Sequence, residues 1–240
     1  MTPGLAALAL AAAAPLPLAE IVARNTEARG GRAALEAVQR LEYDLRIVEP
    51  TFSAEAVYRV DRQGRMRIDV SVGGRRVFSE GYDGTRGWQW AGDAPHATEA
   101  SAAGTAALRH GPQLPGHILG LHELAARGHR LESAGVERLD GVDYQVLKLT
   151  LDDGFVTHYY LDPRTWLVVR GRDHKAFHPD VDPARKWLET RHSDFRTVGG
   201  VVKAYKTENV DLATGQVVGT TTVTAVRVNP GFEPGLFGPP

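Results

Sequence analysis

The chain has 240 residues, 42% of them hydrophobic, and a formal net charge of −1 from 28 basic and 29 acidic side chains. This composition is typical of a globular protein and not of a disordered one, and the length suits a single all-β domain. The near-zero charge gives no electrostatic reason to expect a nucleic-acid partner or an anionic membrane partner. Since there is no cysteine, disulfides, cysteine-ligated metals and cysteine nucleophiles are excluded.

The first 19 residues carry no charge and contain an apolar run from Leu5 to Ala14. This pattern resembles the hydrophobic core and small-residue cleavage site of a secretory signal, although the usual basic n-region is missing. A short alanine-rich helix is the alternative, and the run is shorter than the roughly 20 residues that span a bilayer. We expect residues 1–19 to be a signal peptide cleaved near Ala19. Residues 20–240 are then one mature domain, and export without disulfides favours the bacterial periplasm.

One helical segment is predicted over residues 18–38, and the Gly30-Gly31 pair is expected to break it into two pieces. After this segment the apolar period changes to two. Residues 43–47, 54–60 and 66–72 alternate between apolar and polar side chains. This alternation predicts strands with one buried face and one solvated face.

Turn signals separate these strands by short distances along the chain. They lie at residues 61–64, at Gly73-Gly74 and at Asp83-Gly84. Short turns of this kind join antiparallel neighbours. Trp88 and Trp90 follow the last turn and are expected to share one face of a strand.

A section of different composition, rich in Ala, Gly and His, extends from about Ala91 to Arg127. Within it, residues 116–126 have helical spacing at Ile118, Leu121 and Leu124, which predicts a helix with an apolar stripe. Gly128 is its expected C-cap.

Strands are predicted again at residues 142–146, 155–161 and 166–170, followed by a loop over residues 173–185. Three more predicted strands lie between residues 187 and 228. In total we expect about ten strands and two helical regions. Consecutive strands with short turns indicate an antiparallel meander in a single domain.

The nine histidines raise the question of a metal site, and the densest group is Asp173, His174, His178 and Asp180. Zinc ligands must converge, and i, i+4 spacing achieves this on a helix. Here Pro179 follows His178 directly, so a solvated polar loop is the preferred interpretation. We therefore predict no metal and no cofactor.

No catalytic constellation is recognisable either. A nucleophile elbow and a phosphate-binding loop are both absent from the sequence. His192, Ser193 and Asp194 are adjacent on a predicted strand, where neighbouring side chains point to opposite faces and cannot form a triad among themselves. Asp152-Asp153 precedes Gly154 in a tight turn, where Asp is a turn former. We predict no catalytic residue.

What remains is a large amount of apolar and aromatic alternation, which has two interpretations. The simpler one is that these side chains form an ordinary core. The other is that a curved sheet leaves part of the face as a cavity for an apolar ligand. The candidate cavity residues are Tyr58, Met66, Ile68, Trp88, Trp90, Ile118, Leu121, Tyr144, Phe155 and Tyr159.

Four segments together resemble the periplasmic lipoprotein-sorting superfamily, which includes the carriers LolA and LolB. Residues 82–89 resemble its aromatic-Asp-Gly hairpin, and residues 159–170 resemble its strand-Leu-Asp-Pro-strand hairpin. Residues 193–201 are similar to its late Ser-Asp-aromatic-Arg turn, and residues 220–230 are similar to its final strand. The order of the motifs carries the resemblance, which covers about residues 20–237. Residues 91–110 and 173–180 do not match the carriers, so the resemblance indicates a branch distinct from them.

The resemblance implies a mostly β fold with helices, namely a bent antiparallel half-barrel whose helices cover its concave face. It also implies a space between sheet and helices that holds acyl chains, which bind by burial of apolar area and need no catalytic group. The expected function is therefore a monomeric, non-enzymatic periplasmic carrier of a lipid or a lipoprotein, with envelope proteins as further partners. Two alternatives stay open: an enzyme that uses the histidine-rich loops, and a non-catalytic envelope module that recognises a protein along its sheet.

Overall fold

The computed structural model describes residues 14–240. Its helices are α1 (Leu18–Ala28), α2 (Arg32–Ala37) and α3 (Ala102–Gln113). Its strands are β1 (Arg40–Glu49), β2 (Phe52–Asp61), β3 (Met66–Val72), β4 (Arg75–Tyr82), β5 (Gly87–Ala91), β6 (Thr98–Glu99), β7 (Arg130–Leu139), β8 (Val142–Thr150), β9 (Val156–Leu161), β10 (Val168–Lys175), β11 (Lys186–Val198), β12 (Val201–Asp211) and β13 (Val217–Val228).

All 13 strands belong to one antiparallel sheet, in the order β6-β5-β4-β3-β2-β1-β13-β12-β11-β10-β9-β8-β7. The sheet consists of two meanders, β1 to β6 and β7 to β13, and pairing of β1 with β13 joins them in the middle. The first and last strands of the chain are thus neighbours at the centre, and β6 and β7 form the two edges. The sheet does not close, so the predicted open half-barrel is confirmed.

The helical segment near the N-terminus breaks where the sequence predicts. Helix α1 ends at Ala28 and α2 begins at Arg32. Gly30 lies between them with a φ of +114°, and a Cβ built there would lie 2.1 Å from the Gly200 carbonyl oxygen. Glycine is therefore required both by the backbone conformation and by the close approach to the turn between β11 and β12.

The middle section differs from the prediction. The helix is α3, which begins after Ser101, and the Ser101 side chain accepts a hydrogen bond from the Gly104 N–H at its N-terminus. The expected helix over residues 116–126 is instead an irregular loop with two single 3-10 turns, Leu121–Glu123 and Ala125–Arg127. Its apolar residues are nevertheless buried. Their spacing in the sequence therefore resembles that of the buried face of a helix, although the segment is not helical.

The sheet also has more strands than the ten expected. The main omission is β7, an edge strand whose residues are half-buried or exposed along most of its length. Its pairing with β8 shifts register between Ser133 and Val136, and Gly135 lies in the shift with a φ of +90°. Edge strands interrupted by a bulge lose the clean alternation on which the prediction depends.

Side chains from the helices and the loop 114–128, which joins α3 to β7, fill the concave face at both wings of the sheet. The first cluster joins α2, α3 and the loop to β1–β4, with Leu35, Leu108, Ile118 and Met66 among its buried members. A second cluster joins α1 and the 3-10 turns to β8 and β9 and includes Ile21, Leu124, Leu147 and Leu149. The centre of the face, between the two clusters, is not filled in this way.

Residues 14–16 lie against β8, close to the predicted cleavage site. The Gln145 side chain accepts a hydrogen bond from the Leu16 N–H and donates one to the Ala14 carbonyl. Leu16 and Leu18 pack against the second cluster. The first 13 residues, which carry most of the predicted signal peptide, lie outside the described part of the chain.

Candidate functional site

The unfilled centre of the concave face is a cavity of about 410 Å³. This volume lies in the range of about 300–1,000 Å³ that is usual for small-molecule sites. Strands β1, β2, β3 and β13 form one side of it, which we call the apolar wall. The residues of the apolar wall are Tyr43, Leu45, Ile47, Tyr58, Ile68 and Val223.

Helix α1 and strands β9–β12 form the opposite side, which we call the polar wall. Its polar residues are Asn25, Arg29, Thr157, Asp173, Lys175, Thr190, His192, Lys203, Thr207 and Asn209, and Tyr159, Val168, Phe195, Val202 and Ala204 of the same strands also line the cavity. A wholly structural core on the inner face of an antiparallel sheet is apolar. The polar wall therefore needs an explanation other than folding.

Two cations of the polar wall are held by the loop over residues 114–128. The Arg29 guanidinium donates to the carbonyl oxygens of Leu119, at 2.7 Å, and Gly116, at 3.2 Å. The Lys203 ammonium donates to the same Gly116 oxygen, at 3.2 Å, and to the carbonyl of His117. Both side chains are buried, and within residues 14–240 neither has a carboxylate at ion-pair distance.

The imidazoles that line the cavity are held neutral. Desolvation lowers the pKa of His117 to about 3, and the nearby positive charges of Lys203 and Arg29 act in the same direction. Desolvation, and then the charge of Lys175, lowers the pKa of His192 to about 4. The pKa of Lys203 is itself lowered by desolvation and by the charge of Arg29. Each shift reports a desolvated, electropositive environment.

Aromatic groups surround the His117 ring at the boundary between the two walls. Its centroid lies 5.5 Å from that of Tyr43 and 5.0 Å from that of Tyr58. The Tyr58 hydroxyl is buried and has no hydrogen-bond partner in the described protein. A buried hydroxyl without a partner is costly, so its position at the cavity is informative.

Helix α3 crosses the concave face beside the cavity and is held at both ends. Its N-terminal turn packs on β5, since a Cβ at Gly87 would lie 2.7 Å from the Thr105 hydroxyl. At the other end, His110 lies 2.6 Å from an Asp153 carboxylate oxygen, and Arg109 pairs with Asp152. These polar contacts join α3 to the turn between β8 and β9.

Of the ten candidate cavity residues, the structure brings four to the cavity: Tyr58, Ile68, Leu121 and Tyr159. Met66 and Ile118 are on the same concave face but are packed inside the first cluster. Phe155 lies beyond the cavity, where its ring stacks on His110 at 4.3 Å. That the four cavity residues bind a ligand stays a prediction.

The expectation of a single shared face is wrong for the other three residues. Trp88 and Trp90 share a face of β5, but it is the convex one. Trp88 is paired with Gly81, and Arg67 stacks on its ring at 5.3 Å. Its indole N–H donates to the Phe237 carbonyl at 2.7 Å, because the C-terminal segment covers this face. Trp90 stacks on Arg76 at 3.4 Å.

Tyr144 is the third residue on the convex face. It packs with Val146 and Tyr160, whereas the neighbouring Leu147 points into the second cluster. Consecutive residues of a strand point to opposite faces. A prediction that assigns the wrong set of alternate residues to the concave face therefore places all of their side chains on the wrong side of the sheet.

The histidine-rich loop does not bring its candidate ligands together. Asp173 faces the cavity on β10, whereas His174 stacks on Trp187 at 5.4 Å. His178 lies 3.1 Å from the Glu49 carboxylate, and Asp180 lies near the Ser101 N–H at the start of α3. No group of three or more His, Asp or Glu residues in the described chain is arranged to hold a metal ion.

Sequence reasoning missed the cations of the polar wall. Lys203 lies on the same face of β12 as Val201 and Tyr205, both of which are buried. A charged side chain at an inward position of a strand is a signal that the sequence does contain. Arg29, next to the Gly30-Gly31 break, carried no comparable signal.

Comparisons with known proteins agree on the fold. No protein-family model matches the sequence, and no curated protein matches it. Among solved structures, a LolA superfamily protein from Nitrosomonas europaea has a TM-score of 0.61 at 11% identity, over 92% of this chain and 97% of that one. The chain has the LolA-like fold.

Two further structures show the same LolA-like fold. A DUF1329 family protein from Desulfovibrio piger has a TM-score of 0.59 at 12% identity, over 92% of this chain and 97% of that one. An outer membrane lipoprotein-sorting protein domain from Vibrio parahaemolyticus has a TM-score of 0.58 at 13% identity, over 91% of this chain and 95% of that one. The resemblance stated from the sequence motifs is thus confirmed at the level of the fold.

Proposed function

We propose that the protein is a periplasmic carrier that holds the alkyl chain of a lipid or lipoprotein in the central cavity. The observation that carries the proposal is the unfilled centre of the concave face, because the same face is closely packed at both wings. Burial of alkyl groups against the apolar wall contributes about 25 cal/mol per Å² and requires no reacting group.

The LolA-like fold supports this proposal, since one of the similar structures is named as an outer membrane lipoprotein-sorting protein domain. The proposed role is non-enzymatic. Besides cations, amides and hydroxyls, the polar wall contains the Asp173 carboxylate and the His192 imidazole. His192 lies 3.4 Å from the Thr207 hydroxyl but is a weak base, because desolvation lowers its pKa to about 4. Helix α3 is the proposed lid. Opening it would break the ion pairs of Arg109 and His110 at its C-terminal end and expose Leu108, which is buried in the first cluster.

Residues 20–240 would act as one monomeric unit after export. None of the helices within residues 14–240 is long and apolar enough to cross a membrane. The location is tested by the intact mass of protein released by osmotic shock. We expect a product that lacks residues 1–19, and a full-length cytosolic product would contradict export.

The function is tested by native mass spectrometry of protein purified without detergent. We expect an additional mass that organic extraction removes and that belongs to an alkyl-chain lipid. The extracted protein should then bind a fluorescent fatty acid with a stoichiometry of one. A protein that carries no lipid and binds no alkyl probe would contradict the proposal.

A further inference from the structure

Two basic groups of the polar wall, Arg29 and Lys203, have no carboxylate at ion-pair distance within residues 14–240. Arg29 and Lys203 both lie 3.2 Å from the same Gly116 carbonyl oxygen, so two like charges share one neutral acceptor. Of the nearby carboxylates, Glu123 pairs with Arg62. Asp173 pairs with Lys175 at 3.1 Å through Oδ2, and its Oδ1 is buried without a hydrogen-bond partner in the described residues. Buried charges without a counter-charge are expensive, which makes this an unusual arrangement for a structural core.

Both cations keep hydrogen-bonding capacity toward the cavity. An ammonium has three donors and a guanidinium has five, whereas Lys203 and Arg29 each use two of theirs on loop carbonyls. Tyr58 also lines the cavity, and its hydroxyl is buried and has no hydrogen-bond partner in the described protein. These donors suit an acceptor with several oxygen atoms.

Apart from the Tyr43, Tyr58 and Thr221 hydroxyls, the opposite side of the cavity offers apolar contact through residues such as Leu45, Ile47 and Val223. A ligand that satisfies both walls needs a charged acceptor group and an alkyl chain. We propose that Arg29 and Lys203 bind the anionic head group of an amphiphile, a carboxylate or a phosphate, while its alkyl chain lies against the apolar wall. This inference rests on the proposed carrier function and specifies the class of lipid carried.

The first test uses the wild-type protein, stripped of lipid, and three probes with the same alkyl chain: dodecanoate, dodecyl phosphate and dodecanol. Affinities are measured by displacement of an uncharged fluorescent alkyl probe below the micellar concentration. We expect at least one of the two anions to bind at least tenfold more tightly than the alcohol, because hydrogen bonds to ionised groups are about twice as strong as neutral ones. The tighter of the two anions identifies the head group as carboxylate or phosphate.

The second test assigns the preference to Lys203. In Lys203→Met the preferred anion should bind at least tenfold more weakly, with dodecanol unchanged, and Lys203→Arg should keep the preference. The matched control is Lys206→Met on the same strand, because Lys206 pairs with Glu208 and does not line the cavity. Circular dichroism of each variant verifies folding. If Lys203→Met does not fold, the comparison of the three probes on the wild type still decides the proposal.

The outcomes separate this inference from the function on which it rests. Equal binding of the alcohol and both anions by the wild type would overturn the anionic head group and leave the carrier function intact. Absence of binding for all three probes, together with the uncharged fluorescent probe, would overturn both. An anion preference that survives in folded Lys203→Met would overturn the assignment to this part of the polar wall.

Discussion

The wings and the centre of the concave face are built from the same kind of strand but are filled differently. At the wings, Leu147 and Leu149 of β8 and Leu35 of α2 are 0–1% exposed in packed clusters. At the centre, β10–β12 present Lys175, His192 and Lys203 to a cavity instead. The wings therefore supply packed apolar contacts to the fold, whereas the centre keeps a cavity lined on one side by polar groups.

A second contrast concerns buried charge on the two faces of the sheet. Glu189 is fully buried, and its carboxylate accepts hydrogen bonds from Arg170, Arg172 and Arg191. This carboxylate is neutralised within the protein, and those arginines lower its pKa although burial opposes them. Within residues 14–240, Arg29 and Lys203 have no such carboxylate partner, although Asp173 and Lys175 at the same cavity do pair with each other.

The largest expected effect on folding and binding comes from comparing a charge placed in a wing with a charge placed in the centre of the concave face. Leu147→Glu puts a carboxylate into a packed cluster at a fully buried position and should unfold a domain that has only about 5–15 kcal/mol of stability. Ile68→Glu faces the cavity and should leave a folded protein that no longer binds a fluorescent fatty acid. Circular dichroism and a displacement titration measure the two properties.

Unfolding of both variants would mean that the centre is an ordinary core. Leu121 is a poorer probe than Ile68 for this purpose, because Leu121 is a buried member of the second cluster, whereas Ile68 is only partly buried and packs against the edge of the first cluster.

The next largest effect, on the free energy of unfolding, is expected at the buried charge cluster of Glu189 and its three arginines. Glu189→Gln removes the shared acceptor charge of three arginines and should lower the free energy of unfolding by about 2–3 kcal/mol. This value is below the 3–5 kcal/mol of fully buried pairs because the arginines reach water. Asp194→Asn on the same strand is the control, since Asp194 pairs only with the exposed Arg196. Urea denaturation at neutral pH should show almost no change for the control, and equal losses would contradict the contrast.

Glu80 provides a pH-dependent test beside the lid. Desolvation raises the pKa of Glu80 from 4.5 to about 7, with the charge of Asp180 acting in the same direction and that of His178 opposing both. Between these two values the folded state holds a proton that the unfolded state releases, so this group makes the protein less stable as pH rises. Above pH 7 the Glu80 carboxylate is ionised in both states, and the full loss of stability caused by its burial remains.

Glu80→Gln should therefore be more stable than the wild type by about 1–3 kcal/mol at pH 8 and equal to it near pH 4. Urea titrations at the two pH values measure the difference. A difference that is the same at both pH values would show that the carboxyl of Glu80 titrates normally.

The smallest effect is expected at the histidine-rich loop. The His178 side chain is about half exposed and contacts Glu49 and the adjacent Phe177 ring, and the hydrogen bonds from Val181 and Asp182 go to its backbone carbonyl, which the substitution keeps. His178→Ala should change the melting temperature by less than about 2 °C, as expected for an exposed ion pair. A zinc-dependent rise of several degrees in the wild type, lost in this variant, would contradict the assignment of the loop to structure.

Most strands and the antiparallel pairing of consecutive strands could be predicted from the sequence because both depend on local patterns, whereas the edge strands β6 and β7 and the central pairing of β1 with β13 could not. Alternation in residues 54–60 and 66–72 and the Gly73-Gly74 turn produce β2, β3 and the hairpin after them. The order of the four motifs along the chain was sufficient to predict the LolA-like fold. The expected carrier function followed from that resemblance and stays a proposal.

The face on which each aromatic residue lies was decided only by the tertiary structure. Trp88 and Tyr144 alternate in the same way as Ile68 and Tyr159, but the convex face has its own apolar cover from Phe237 and stacked arginines. A period of two cannot distinguish two faces that both carry apolar side chains. The cavity is equally invisible to local pattern, because it is the volume that remains after residues distant in sequence have packed the wings. Arg29 and Lys203, 174 residues apart in number, meet there only because the chain returns β12 to the centre of the sheet.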